Sequence, residues 1–362
     1  MKPKRLWFLT LLLLINTFHA AAQQLLITDD EGNPVGFAHV LNHNGTVLGV
    51  SNLDGTADLT PMSDQIEGKP VTITHVAFKP RTINIDPATT GTRTVALEET
   101  DFDMPELTVT PKDFIYVQTY YRVLYMRDDT VTYYRAGLVD NVYDVKKKKL
   151  NTDSRHFSKA EIGLLKVLIN KLAGSTIESY AELSIPSGKR EITSTPAGPG
   201  RTRLDYHGVD IGTRIQDFES HQLRTSIDME ALAKQKYKEE GKEKKLKRME
   251  EDKNVVNNRT IVYQMDDEGK STFEDFMMSE WHNEFDSYSR ANKKYQHVII
   301  WLESYNVDRA YVTKKELKER KAQNRREMNL DSMRQLEQER GVPALAPQLQ
   351  RRLDVLFKKA KD

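Results

Sequence analysis

Phe273-Glu274-Asp275-Phe276-Met277-Met278-Ser279-Glu280-Trp281-His282-Asn283-Glu284-Phe285-Asp286-Ser287-Tyr288 is the stretch on which the architecture of the chain turns. Its large apolar residues, Phe273, Phe276, Met277, Trp281, Phe285 and Tyr288, recur at helical steps, which predicts an amphipathic helix. Directly after it, His297 to Tyr305 sets Val298, Ile300 and Leu302 against Ile299 and Trp301, the pattern of a buried strand. A helix beside a strand makes residues 112–312 read as an α+β domain. Working outward, Phe114, Val117, Tyr121, Leu124 and Tyr125 also recur at helical spacing. Val131 to Val145 reads as strands, and 153–160 as a further strand. Ile162 to Leu172 reads as an apolar helix stopped at Ala173-Gly174, and residues 180–227 as short alternating strands.

Two charged segments interrupt or follow this domain. Within an insertion at 229–258, Lys234 to Lys253 holds nine basic and six acidic residues, the composition of a solvated helical arm. Residues 313–340 repeat that balance, again nine against six, over a thin apolar stripe of Leu317, Met328, Leu330, Met333 and Leu336. After the Gly341-Val342-Pro343 stop, Leu345, Leu349, Leu353 and Leu356 mark a short helix. It either docks on its own domain or lies on a membrane surface. Residues 313–362 thus read as a charged helical C-terminal extension.

Upstream of a polar connector at 100–111, residues 23–99 are cut into about seven short strands by turn chemistry. Asn44-Gly45 and Asp54-Gly55 are hairpin dipeptides, and Asp29 to Pro34 is a longer turn. Val71 to Val76 and Thr82 to Ile85 alternate with period two. This predicts an antiparallel two-sheet sandwich. Gly32-Asn33-Pro34-Val35-Gly36-Phe37-Ala38-His39-Val40, followed by Ser51-Asn52-Leu53-Asp54-Gly55-Thr56-Ala57, resembles the carboxypeptidase regulatory-like domain. That resemblance implies a prealbumin-like (transthyretin-like) sandwich without catalysis of its own, in a family common at the start of exported Bacteroidota envelope proteins. Thr74-His75-Val76-Ala77-Phe78-Lys79 departs from the Gly-Tyr that the family usually places there.

Lys2, Lys4 and Arg5, then the apolar run Leu6 to Ile15, then Ala20-Ala21-Ala22, read as a secretory signal over residues 1–22, cleaved before Gln23. The expected location is therefore the periplasm or the outer membrane. The 362 residues carry a net charge of +1, and loss of the leader with its three cations leaves −2. Such a balance argues against a nucleic-acid partner. There is no cysteine, which excludes disulfides, thiolate metal sites and a cysteine nucleophile.

No catalytic motif is present. None of the nine histidines has Glu three residues on, so the zinc carboxypeptidase ligand pair is absent. There is no Gly-x-Ser-x-Gly elbow and no P-loop. His39 and His43 lack an evident third metal ligand. On a helix, Glu280 and Glu284 would share a solvent-facing stripe, with His282 pointing elsewhere. Tyr120, Tyr121, Tyr125, Tyr133 and Tyr134, with Trp281, are dense enough to line a binding groove, because each offers an apolar ring and a polar handle.

The sequence thus predicts an exported, non-enzymatic envelope protein without catalytic residues, cofactor or metal. Its sandwich would serve as an interaction or spacer module and its larger domain would bind an envelope protein or a polysaccharide, with peripheral membrane association through the C-terminal helix as a further contact. A periplasmic lipid or lipoprotein carrier, and a hydrolase built on scattered carboxylates, are the alternatives.

Overall fold

Turn residues cut the N-terminal region where the sequence places them. The computed structural model describes residues 23–66, 68–86, 91–107, 112–153, 159–163, 192–289, 293–323 and 329–359. The chain divides into two units: residues up to Ile73 with Arg81–Leu97, and Thr74–Pro80 with everything from Glu98 onward.

In the first unit lie β1 (Gln23–Thr28), β2 (His39–Leu41), β3 (Val47–Val50), β4 (Thr56–Asp58), β5 (Val71–His75), β6 (Phe78–Ile83) and β7 (Gly91–Ala96), with the ends of β5 and β6 counted in the second unit. They form a three-stranded sheet, β4-β1-β7, and a four-stranded one, β3-β2-β5-β6. Leu25, Ile27, Val40, Leu48, Ile73 and Val95 are buried among them. Gly55 shows why the Asp-Gly turn needs glycine: its φ is +82°, and a Cβ there would stand 2.4 Å from the Ile27 carbonyl oxygen. One expectation fails. β1 pairs β7 in parallel, from Gln23↔Gly91 to Thr28↔Ala96, so the unit is not purely antiparallel. Alternation marks a strand's faces and carries no information about the direction of its partner.

The second unit is built on one antiparallel sheet. Its strands are β8 (Phe114–Arg127), β9 (Thr130–Asp144), β10 (Lys149–Asp153), β11 (Lys159–Gly163), β12 (Ile192–Gly198), β13 (Arg201–Tyr206), β14 (Val209–Asp217), β15 (Gln222–Asp228), β16 (Lys253–Gln264), β17 (Phe276–Ser289) and β18 (Lys294–Val312). Ten follow the order β10-β9-β8-β18-β17-β16-β15-β14-β13-β12, and β11 pairs with β9 beside β10. The last strand therefore enters between the first and the second-last.

This corrects the α+β reading to a mostly β protein. Residues 276–289 are a strand, not a helix, and so are 114–127. The helical look of the first stretch comes from a register slip between Val262 and Tyr263 of β16, which leaves Met277 as an extra residue on β17. Such a bulge shifts the phase, so Phe276 and Trp281, five apart, can share a face. Trp281 and Phe285, four apart, satisfy both periods. In β8 both faces are buried, so Tyr120 and Leu124 on one side and Val117, Tyr121 and Tyr125 on the other merge into a nearly continuous apolar run.

Five helices occur among the described residues: α1 (Met229–Glu239), α2 (Glu243–Glu251), α3 (Lys314–Gln323), α4 (Leu330–Glu339) and α5 (Pro347–Lys359). The charged insertion is helical up to Glu251, and Lys253 already begins β16. Asp228 caps α1 by accepting from the Ala231 amide at 2.9 Å, and Asn329 caps α4 by accepting from Ser332 at 2.8 Å. The stripe of α5 docks on its own unit: Leu349 and Leu353 are buried, and Phe357 meets the Tyr134 ring edge-on at 5.7 Å. Ile162 and Gly163 close β11, and the rest of the expected helix at 162–172 lies outside the described residues. Among the described residues no helix is long and apolar enough to cross a membrane.

Candidate functional site

Strand register sorts the side chains of the large sheet onto two faces. Tyr120, Arg122 and Leu124 of β8 stand beside Tyr305, Glu303 and Trp301 of β18, which stand beside Met278, Glu280 and His282 of β17. This is the helix face, because Pro343 and Glu337 of the C-terminal segment reach it. The odd-numbered neighbours Tyr121, Val123 and Tyr125 of β8, with Leu302, Ile300 and Trp281, make the opposite, aromatic face.

The helix face holds two groups of buried ionisable side chains. In the first, Arg122 donates from Nε to Glu303 Oε2 at 2.6 Å and from Nη2 to the Pro343 carbonyl at 2.8 Å. Its guanidinium lies 5.6 Å over the Tyr305 ring, and Tyr305 donates to Glu303 at 3.1 Å. Tyr120 donates its hydroxyl to Glu337 of α4. Burial, and then the neighbouring Glu303, push Glu280 well above the ordinary carboxylate range, so its carboxyl keeps its proton.

In the second group, Glu284 sits between two imidazoles. Its Oε2 is 3.0 Å from His282 Nε2, and its Oε1 is 3.3 Å from His297 Nε2. His297 Nδ1 continues to Asp286 Oδ1 at 2.8 Å, and Asn254 donates to Asp286 at 2.7 Å. Burial alone would raise Glu284, but the hydrogen bonds from His282 and His297 override it and hold the carboxyl at about 2. The bond to Glu284, reinforced by Asp286 against partial burial, raises His297 to about 9.

These positions overturn the solvent-facing stripe expected of a helix. On a strand Glu280, His282 and Glu284 all share one face, and Glu280 and His282 are fully buried. The chemistry most of them offer is that of satisfied pairs: Glu303 faces Arg122 and Tyr305, Glu337 faces Tyr120, and Glu284 and Asp286 face imidazoles, whereas the charged neighbour of Glu280 is Glu303. Among the described residues no group of three or more His, Asp or Glu is placed to hold a metal ion. His39 is buried in β2, while His43 lies 3.1 Å from Lys69 Nζ, so the two do not converge.

The six aromatic candidates divide between the faces. Tyr120 and Tyr134 lie on the helix face, their hydroxyls 3.4 Å apart. Tyr121, Tyr125, Tyr133 and Trp281 come together on the aromatic face in one cluster with Val123, Val139, Val298, Ile300, Leu302 and Phe285. All but Tyr125 and Phe285 are buried, and those two form its partly exposed rim. Trp281 donates from Nε1 to Asn257 at 2.8 Å, and Arg135 donates to the Tyr133 hydroxyl at 2.7 Å. Gly137 makes room for this packing: a Cβ there would fall 2.8 Å from the Tyr121 ring. A second cluster continues the face with Ile115, Val117, Leu223, Tyr263, Phe273 and Phe276.

Arg122, Glu303 and His297 were not singled out from the sequence. Reading residues 114–127 with period two would have set Gln118, Tyr120 and Arg122 on one side and exposed the first group. A cleft of about 600 Å³ lined by Lys112, Arg309, Tyr311 and Arg320 is a weaker candidate. Its cations are already engaged, Lys112 by Glu316 at 2.8 Å, Arg320 by Asp308 and Arg309 by the Pro105 carbonyl at 2.6 Å. Comparison with known proteins adds no relative: no protein family and no curated protein matches this chain.

Proposed function

We propose that this chain is an exported, non-enzymatic envelope protein whose large sheet binds an apolar ligand or partner, with the N-terminal unit, read as a prealbumin-like regulatory module, serving as an interaction or spacer element. The observation that carries the reading is the aromatic face, where Tyr121, Tyr125, Tyr133 and Trp281 meet Ile300, Leu302 and Phe285 on adjacent strands. Rings with an apolar body and a polar edge bind a ligand without a reactive group. The ionisable groups of the opposite face support the same reading, because their pairing with one another leaves them structural work rather than chemistry.

A photo-crosslinking residue at Tyr125 or Phe285, the rim of the cluster, tests it in cells producing the whole chain. Capture of a defined small molecule or envelope component is the expected outcome. A chain that crosslinks to nothing from either position would remove the reading. One observation favours a second possibility, a hydrolase: Glu280, pushed well above the ordinary carboxylate range by burial, lies beside a second buried carboxyl, Glu303, and such pairs serve acid–base catalysis when substrate can reach them. Loss of a cellular phenotype in Glu280→Gln with folding intact would support that alternative.

A further inference from the structure

Glu99 and Asp217 bring two carboxyl groups together at the end of β14, within the second unit. The backbone of Glu99 is fixed: it pairs with Phe78 in an isolated antiparallel bridge, and the Thr100 amide donates to the Ala77 carbonyl at 3.0 Å. Asp217 accepts on Oδ1 from the amides of Glu219 at 2.9 Å and Ser220 at 3.0 Å. Its carboxyl also shares a hydrogen bond with that of Glu99. Glu99 accepts from the Ser220 hydroxyl on Oε1 at 3.1 Å and from Gln222 Nε2 on Oε2 at 3.0 Å. Asp217 is buried, whereas Glu99 is half-buried and gives the group its access to solvent.

Gln222 is the unsatisfied member of this group. It stands in register opposite Asp217, and its amide reaches Glu99, so it lies between the two carboxyls. The residue is 7% exposed, and its Oε1 has no hydrogen-bond partner. A buried amide oxygen without a donor is costly, and here it adds a third electron-rich oxygen to a pair of carboxyls. A half-turn of the amide sets Oε1 where Nε2 stands, because the two ends are alike in size. Glu99 then has a hydroxyl oxygen at 3.1 Å and a carbonyl oxygen at 3.0 Å. Oxygens so spaced fit neighbouring positions around a calcium ion with bonds of about 2.4 Å. The four donors are all oxygens, which selects a hard cation. Arg224, two residues along β15, has its guanidinium 4.7 Å over the Phe78 ring, and its charge offsets part of the negative charge on Glu99.

We infer that Glu99, Asp217, Gln222 and the Ser220 hydroxyl form a site for a calcium ion, entered from the solvent side of Glu99. The ion gives the Gln222 oxygen a partner and joins the two carboxyls, fastening Glu98–Thr100 to the turn between β14 and β15. Two carboxylates, opposed by one arginine and completed by neutral oxygens and water, place the affinity at about 10⁻⁴–10⁻³ M. This site is independent of ligand binding at the aromatic face.

The test is calorimetric titration of the purified whole chain, stripped with a chelator, with calcium chloride and separately with magnesium chloride. The expected result is saturable calcium binding in that range, with magnesium at least tenfold weaker because it demands near-ideal octahedral geometry. Calcium should also raise the thermal unfolding midpoint. Glu99→Gln and Gln222→Leu should each weaken calcium binding at least tenfold, whereas Glu251→Gln, at an exposed position on α2, should leave it unchanged. Glu99→Gln removes one carboxyl of the pair while keeping a polar side chain, so it should fold as the unaltered chain does, which its unfolding midpoint without calcium checks. No saturable calcium binding up to about 10 mM, magnesium bound as tightly as calcium, or calcium binding left intact by either site variant would overturn the inference.

Discussion

Replacing Glu284 by Gln tests the buried imidazole–carboxylate chain directly. Glu284 is held near 2 rather than 4.5, and His297 near 9 rather than 6.5. Unscreened, either displacement corresponds to roughly 3 kcal/mol. The two describe largely the same contact and are not added. His297 is about one-third exposed, so solvent screens the pair, and about 2 kcal/mol is the reasonable expectation. The pH dependence has a definite sign. The depressed carboxyl contributes fully above its unfolded value of about 4.5 and loses that contribution as pH falls through about 2. The raised imidazole contributes fully below about 6.5 and loses it as pH rises through about 9. Glu284→Gln should therefore cost most between about pH 4.5 and 6.5, and the cost should shrink steadily toward pH 9.5. Urea unfolding of both proteins at pH 5.5, 7.5 and 9.5 measures this. A stability difference that stays constant across those three values would refute the ionic account and leave only a packing defect.

Other outcomes follow from particular contacts. Gly137→Ala should cost about 1–3 kcal/mol by forcing the buried Tyr121 ring aside, and adding Tyr121→Leu should recover part of it in thermal unfolding. Arg122→Met strands Glu303 among buried groups and should cost about 3–5 kcal/mol, whereas Arg122→Met with Glu303→Leu should be far milder, read by chemical denaturation. Glu280→Gln should be nearly neutral, under about 1 kcal/mol near pH 7, because the native carboxyl already carries a proton; a cost as large as that of Glu303→Gln would show that it is ionised. Gly55→Ala should destabilise the first unit selectively, seen as faster hydrogen exchange in β1 and β4 with the large sheet unchanged.

The N-terminal strands were legible because turn chemistry is local: Asn44-Gly45 and Asp54-Gly55 set their own boundaries, and β5 at Val71–His75 falls where alternation places it. The large sheet was not, for a physical reason. A strand buried on both faces loses its polar alternation, and the bulge at Met277 gave β17 a spacing that imitates a helix. The aromatic candidates were recognised as a group, but their division between two faces depends on register, which pairs Tyr121 with Gly137 and Tyr125 with Tyr133. The charged groups were hidden further. Arg122 and Glu303 are 181 residues apart, and nothing local to either marks the other as its partner.

The placement of β18 has a consequence for how the molecule is made. It lies between β8 and β17, with Val312 opposite Phe114, so the sheet is divided into two raw-edged halves until β18 itself, some 180 residues after β8 begins, has been synthesised. Closure across so long a loop is slow, and open strand edges invite wrong partners meanwhile. A chain terminated before β18 would carry two unjoined half-sheets with open edges rather than a smaller working protein, and during biogenesis the nascent polypeptide would depend on escort by chaperones until Lys294–Val312 emerges.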